Sequence, residues 1–294
     1  MKNIRKFFRR KQQRQRLYIQ AVKFFATNIL FHFKLIRRFK KIVHSYHGLI
    51  DSKVNNLYFK SFISTKFNVE QKLEIMSHHY SFLKNIFDDK MLEELFTTGI
   101  TCWRVQKEEN NSCVSLQAAT FDRREGCLRL NFRNNETDIF NLGFTVVPGK
   151  LLNICDGSVI YVSRVQYARN QHENISRITK LFGYITPLTI VLYVLEGISK
   201  ALRIQSIVGI STKQHIKFID TWNEKLFDKN YSSLWQKLNA NEMQNGNFYM
   251  SCPLPKKALV LQKQKYRSII LNKRNKLREV SNQSYQTMEA MIQN

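Results

Sequence analysis

Glycine and proline are scarce in this sequence of 294 residues, which contains 10 and 4 of them. This content excludes a collagen-like repeat and argues against a chain built mostly from flexible linkers. Hydrophobic residues make up 43% of the chain, enough for a packed core, and this excludes an intrinsically disordered protein. We therefore expect a globular fold with one large domain and extensions, or two small domains.

Cysteines and long hydrophobic runs are also few. The five cysteines show no Cys-x-x-Cys spacing, which excludes a disulfide framework and a zinc site of the usual kinds and favours reduced thiols in a cytosol. The longest uncharged run, residues 181–195, is shorter than the roughly 20 apolar residues of a membrane span. No apolar segment with a small-residue cleavage site marks a secretory signal. These absences favour a cytoplasmic protein.

Acidic residues are absent from residues 1–50, where 14 lysines and arginines occur. Residues 256–294 hold nine basic and two acidic residues, so residues 51–255 carry only +4 of the net charge of +25. Two polycationic ends attract a phosphate-rich partner, either an anionic membrane surface or a nucleic acid. Alternatively, the lysines only coat solvated helices. The predicted anion-binding residues are Arg5, Arg9, Arg10, Arg37, Arg38, Lys40 and Lys41.

Periodicity predicts helices at both ends and strands between them. Apolar residues from Tyr18 to Val43 recur every three or four positions, which indicates a basic amphipathic helix that packs on the core or lies on a membrane. Residues 57–98 read as further helix, and a third helical segment, residues 256–278, has lysines interrupting its apolar face. Accordingly we expect a basic helical extension (1–50), an α/β core domain (51–255) and a basic C-terminal helix and tail (256–294).

The core pattern predicts an α/β (α+β) fold with a mostly antiparallel mixed sheet. Short β-rich runs separated by polar turns are typical of successive antiparallel strands. A strand, a helix from Pro187 and another strand at 206–211 then follow, and this order favours a crossover between parallel strands. The predicted strands before the crossover are 101–106, 112–121, 127–132, 139–146 and 158–165.

Common catalytic motifs are missing: there is no dinucleotide-binding loop, Walker loop, zincin motif or nucleophile elbow. His44 and His47 share a helix face but have no acidic or cysteine neighbour, so we predict no metal site. Two residues are candidate catalytic groups. Glu125 either pairs with Arg124 in a hairpin or lies at the mouth of a cleft, and His215 follows a strand, where ligands of α/β sheets often bind.

Several stretches in collinear order resemble the VirK/YbjX family of bacterial virulence-associated proteins, from about Leu57 to Arg278. These landmarks are His79-Tyr80-Ser81-Phe82-Leu83, Arg124-Glu125-Gly126 with Leu128 and Leu130, Leu142-Gly143-Phe144-Thr145, Thr179-Lys180, Pro187, Val208-Gly209-Ile210-Ser211 with His215, and Leu234-Trp235-Gln236. The resemblance implies a role in survival against antimicrobial peptides and carries over no catalytic residue. Residues 181–187 lack the His and Arg of the family pattern, so the resemblance carries over no ligand site there.

The predicted strand order also resembles the N-acyltransferase fold, in which a loop and a helix start bind the pyrophosphate of coenzyme A. Such a loop usually contains glycine, but residues 169–180 contain none. The sequence therefore leaves three hypotheses for the function. The first is an envelope-stress protein at the inner membrane, the second an enzyme using acyl coenzyme A with Glu125 or His215 as base, and the third a non-specific nucleic-acid binder.

Overall fold

A computed structural model describes residues 60–107, 109–119, 123–218, 231–255 and 263–292, together with Ile19, Arg37 and Leu57. The described residues contain six α-helices and eight strands. The helices are α1 (Val69–Ile86), α2 (Asp89–Phe96), α3 (His172–Leu181), α4 (Pro187–Ala201), α5 (Ser232–Lys237) and α6 (Arg267–Glu289). The strands are β1 (Ile100–Lys107), β2 (Asn110–Ala118), β3 (Leu128–Asn134), β4 (Thr137–Pro148), β5 (Ser158–Tyr167), β6 (Ser206–Gly209), β7 (Asn241–Glu242) and β8 (Phe248–Ser251).

All eight strands form one sheet in the order β1-β2-β3-β4-β5-β6-β8-β7. Neighbouring strands from β1 to β5 are antiparallel, and β5 and β6 are parallel. The predicted mixed α+β class, the antiparallel strands and the crossover are thereby confirmed. The crossover contains two helices, because α3 precedes the predicted helix α4. Helix α3 was not predicted; it buries only Ile178, and its other residues are exposed or partly buried.

Helices cover both faces of the central strands. β4, β5 and β6 contain consecutive buried residues, which requires cover on both sides. α1 packs on β4, while α4 packs on β3 and β4, and α6 packs on α4 and on β1. The sharp start of α1 follows from a capping box, in which Asn68 and Gln71 each bind the other's backbone N–H. No helix in the described part of the chain is long and apolar enough to cross a membrane.

Two predicted helical segments have different bounds in the structure. Among the described residues of 60–98, α-helix is confined to α1 and α2; Phe62 and Ser64 instead form an isolated bridge. The C-terminal helix begins at Arg267 and runs to Glu289, beyond the predicted end at 278. Its second half packs on α4 through small residues that an apolar count overlooks, namely Ser281 and Ser284. The predicted helix of residues 18–43 lies outside the described residues apart from Ile19 and Arg37, both helical and exposed.

Candidate functional site

The β5–β6 gap is an opening in the sheet beyond Val162. The two parallel strands pair over only three positions, from Ile160 to Val162, and the last contact is the Ile210 N–H bond to the Val162 carbonyl. β5 has a β-bulge at Ser163, since Val162 pairs with Phe144 and Arg164 with Gly143. Bulges bend a strand and redirect its side chains, and they are frequent next to active sites. β5 therefore separates from β6 where its polar residues begin.

Glu125 is held beside this gap by a 3₁₀ turn between β2 and β3. The backbone carbonyl of Glu125 accepts a hydrogen bond from Ser163 Oγ at 2.6 Å, and the Arg124 carbonyl accepts one from the Ile63 N–H at 2.7 Å. Gly126 completes the turn at φ 149°, and a Cβ on it would lie 2.7 Å from the backbone nitrogen of Phe144. Only glycine fits this approach, so the turn fixes Glu125 against the sheet.

Two cations contact the buried Glu125 carboxylate, whose side chain is 3% exposed. Arg164 donates from its NH1 to Glu125 Oε2 and from its Nε to Asn141 Oδ1, the latter at 2.7 Å. Lys217 Nζ lies 2.7 Å from Glu125 Oε1, and its side chain is half exposed, so it reaches inward from the surface. Buried carboxylates require this kind of charge compensation. The pairing predicted with Arg124 is wrong, because the carboxylate pairs with Arg164 and Lys217 and Arg124 is exposed.

His215 lies between Glu125 and Tyr231. Its Nε2 is 3.9 Å from Glu125 Oε1, and its ring centroid is 4.5 Å from that of Tyr231. The Lys217 backbone N–H donates to Nδ1, which places a proton on Nε2 in the neutral imidazole. Burial lowers the pKa of His215 to about 4, although the Glu125 charge and the Ser163 carbonyl act in the opposite direction. At neutral pH the imidazole is therefore uncharged.

Tyr231, just before α5, contributes a protonated phenol to the same gap. Burial raises the pKa of Tyr231, the Glu125 charge raises it further, and a hydrogen bond from the Val165 backbone has the opposite effect. Tyr231 bonds to the backbone of Val165 and His215 to the backbone of Ser163. Both side chains therefore contact the edge of β5 that no longer pairs with β6. The gap thus contains a carboxylate, a neutral imidazole and a protonated phenol in mutual contact or close to it.

A small cleft leads from the surface to Glu125. It is lined by Glu125 and its neighbours Ala119, Gly126, Arg129, Asn141, Gly143 and Arg164. Its free volume is about 30 Å³, which is room for one or two water molecules. Arg129 donates from Nε and NH2 to Gln117 Oε1, so its guanidinium is fixed at the wall. A large substrate would remain outside and present only a head group to the carboxylate.

The two candidate catalytic residues from sequence, Glu125 and His215, come together in the structure, whereas their catalytic role stays a prediction. Of the predicted anion-binding residues only Arg37 is described, as an exposed helical residue; Arg5, Arg9, Arg10, Arg38, Lys40 and Lys41 lie outside the described residues. Sequence reasoning missed Arg164, Lys217 and Tyr231. Of these three residues, only Arg164 could have been identified from the sequence, because it is the single charged residue in the predicted strand 158–165.

In the part of the chain that the structure describes, the other histidines give no second site of this kind. His79 is fully buried, accepts the Val146 N–H at Nδ1 over 3.2 Å and contacts Tyr80. Burial lowers the pKa of His79 to about 3. The described residues contain no group of three or more His, Cys, Asp or Glu that could hold a metal ion. His44 and His47 lie outside them.

Comparison with known proteins gives one family match. No curated protein and no solved structure matches the chain. A family model described as a protein of unknown function, DUF535, matches residues 11–287, which includes every element of the sheet and the whole β5–β6 gap. The chain therefore belongs to the DUF535 family.

Proposed function

We propose that the chain is an N-acyltransferase that moves an acyl group from coenzyme A to an amine. The observation that carries the proposal is the bulge at Ser163, where β5 leaves its parallel partner and opens the sheet beside Glu125, His215 and Tyr231. A strand edge of this kind can pair with an extended ligand through backbone hydrogen bonds. The pantetheine arm of coenzyme A contains two amide groups and suits such an edge.

The residues at the edge fit a thioester carbonyl. In the structure the Val165 N–H binds the Tyr231 hydroxyl, and a thioester oxygen would take the place of that hydroxyl as acceptor. A backbone N–H fixed by a sheet stabilises the negative charge that develops on such an oxygen during acyl transfer. The Tyr231 hydroxyl would then face the sulfur. This exchange places the reacting bond beside the proton donor.

The acid–base roles follow from position and protonation. Glu125, which lines the cleft, accepts the proton from the attacking amine as the new C–N bond forms. Tyr231, kept protonated by burial, gives its proton to the thiolate as the C–S bond breaks. His215 contacts both and is a positioning residue, since its neutral ring keeps Glu125 and Tyr231 apart without adding charge.

The start of α3 lies where β5 ends and supplies a region for the phosphates of the donor. Asn170 adopts the left-handed conformation at φ 57°, so the turn that a glycine would normally make is made by asparagine. The N–H groups of the first helical turn and the exposed Arg169 can both bind phosphate oxygens. A phosphate-binding turn is therefore possible here although residues 169–180 contain no glycine.

The test is thermal unfolding of the full chain with acetyl, octanoyl and palmitoyl coenzyme A, followed by mass spectrometry of acyl transfer to a panel of amines. A thioester at about 100 times its dissociation constant should stabilise the chain by about 2.7 kcal/mol. Tyr231→Phe should keep the stabilisation by thioester and reduce the rate of acyl transfer about 10²- to 10⁴-fold. The control variant Tyr285→Phe on α6 should keep both the stabilisation and the transfer rate. Unchanged melting with all three thioesters contradicts the proposal, and full activity of Tyr231→Phe contradicts the role of the phenol.

The acceptor amine is proposed from the resemblance to VirK/YbjX proteins. If the chain acts in bacterial envelope stress and resistance to antimicrobial peptides, an amine of an envelope component is the acceptor that fits, because acylation removes a positive charge. The cleft is consistent with a small head group on a large molecule, given its volume of about 30 Å³. Amine-bearing lipids and cell-wall amines therefore belong in the acceptor panel, beside peptide amines.

A further inference from the structure

We propose that the start of α6 and the turn between α3 and α4 bind an anionic lipid bilayer. This basic–apolar face comprises the apolar and aromatic residues Tyr184, Tyr266, Ile269 and Leu271 and the basic residues Lys263, Lys265, Arg267, Lys273 and Lys276. It is distinct from the β5–β6 gap, and the proposal does not depend on the acyltransferase function.

Exposed large hydrophobic side chains concentrate on this face. Five such side chains are exposed among the described residues, and four of them lie here. Tyr184 is 71% exposed, Ile269 53%, and Tyr266 and Leu271 47% each. Ile269 and Leu271 are two positions apart in a helix and so project to different sides of it. The first turns of α6 therefore expose apolar side chains on more than one side of the helix, and these side chains do not form one stripe that a neighbouring element could cover.

Basic residues surround these side chains without acidic neighbours in sequence. Residues 263–278 contain seven lysines and arginines and no acidic residue before Glu279. Further along α6 the buried stripe begins at Leu277 and packs on α4, so only the second half of the helix belongs to the core. The first half thus combines exposed aliphatic residues with positive charge, the combination that binds an anionic bilayer surface.

Tyr184 is held out from the protein by an unfavourable backbone conformation. Gly183 and Tyr184 both have positive φ, 68° and 62°, in the turn that ends α3. A tyrosine in the left-handed region is strained, and this ring gains little burial in return. Lys273 binds the Tyr184 carbonyl at 3.4 Å and lies 5.8 Å from its ring centroid, which ties the turn to α6. The turn and the helix start thus present their tyrosines on one surface.

A bilayer fits this face better than a nucleic acid does. Isoleucine and leucine gain from apolar burial, which a bilayer interface provides and a phosphate backbone does not. Tyrosines accumulate at membrane interfaces, where the ring is buried and the hydroxyl stays hydrated. The flanking lysines and arginines would remain at the level of the head groups, with their charge towards the anionic phosphates.

The experiment is vesicle flotation of the full chain with phosphatidylcholine, alone and mixed with phosphatidylglycerol. We expect binding to the mixed vesicles only. Removing three charges, with Lys263→Gln, Lys265→Gln and Arg267→Gln, should weaken binding on the order of 100-fold. Ile269→Ser with Leu271→Ser should weaken it about tenfold. Since all five residues are exposed, circular dichroism should show an unchanged fold.

Matched variants separate this face from general electrostatic attraction. Lys66→Gln, Lys84→Gln and Lys90→Gln remove three exposed charges elsewhere and should lower binding less than the α6 variant does. Tyr184→Trp reports contact directly, because brominated lipid tails should quench the added fluorescence. Absent quenching, or equal binding by the α6 and control charge variants, overturns the proposal. Serine variants that bind as the parent does, together with steeply salt-dependent binding to duplex DNA, would assign the face to nucleic acid.

Discussion

Replacing Glu125 with glutamine keeps the shape of the side chain and removes its charge. Arg164 would then lie in the cleft wall with its side chain 12% exposed and without its carboxylate partner, although Asn141 would still bind its Nε. Breaking a buried ion pair from one side costs about 3–5 kcal/mol, since the remaining charge is uncompensated. We expect the lower end, about 3 kcal/mol, because Asn141 remains. That loss corresponds to a fall of about 6–12 °C in melting temperature.

The assay is urea unfolding at neutral pH, with variants that separate the buried partner from the exposed one. Lys217→Gln should cost less than about 1 kcal/mol, because half of that side chain is in solvent. Arg164→Gln should cost about as much as Glu125→Gln, and the double variant should lose less than the sum by about 1–3 kcal/mol. Glu242→Gln on the exposed β7 is the control. Additive losses, or a loss below about 1 kcal/mol for Glu125→Gln, would refute the assignment of a buried ion pair.

Three further predictions concern other parts of the fold. The pKa of His215 is about 4 in the folded state and about 6.5 in the unfolded chain, so the unfolded chain binds more protons between these pH values. The free energy of unfolding should therefore fall as pH drops below 6.5, by up to about 1.4 kcal/mol per pH unit. His215→Gln should reduce that slope in unfolding measurements. Gly197→Ala, which in an exposed helix would stabilise, should lower the melting temperature, because its Cβ would lie 2.2 Å from the Ser281 carbonyl oxygen of α6. Tyr184→Gly should raise stability by up to about 1 kcal/mol by relieving the positive φ, while weakening vesicle binding.

The sheet was predictable because its information is local. Residues 101–106 and 158–165, for example, alternate or are β-branched and end at polar turns, and both form strands within two residues of the predicted bounds. The predicted C-terminal helix ended at 278, short of Glu289, because the contact of α6 with α4 includes small residues. At Gly197 the two helices come so close that Ser281 and Ser284 are buried, and periodicity of large apolar residues does not report such a contact.

The site was predictable only in part, because its groups come from four distant segments. Glu125 stood out as a carboxylate beside predicted strands, and His215 as a polar residue after one. Their partners Arg164 and Tyr231 are 39 and 106 residues from Glu125, and only the bulge at Ser163 and the gap bring them together. A bulge is a defect in pairing between two strands, and a single strand's residue pattern does not reveal it.

Stability alone does not account for the charges in the β5–β6 gap. A buried ion pair gives little net stabilisation, and replacing one by apolar residues of similar volume is often neutral or stabilising. Glu125 and Arg164 nevertheless line a cleft, where a leucine and a methionine would fill the same space. The burial that makes these charges expensive also keeps His215 neutral and Tyr231 protonated. Consider the double variant Glu125→Leu, Arg164→Met. If the cluster only fixed the turn, this variant would keep both its stability and its function. We expect that variant to remain folded and to lose the proposed acyl transfer, because the proposed proton acceptor would be gone.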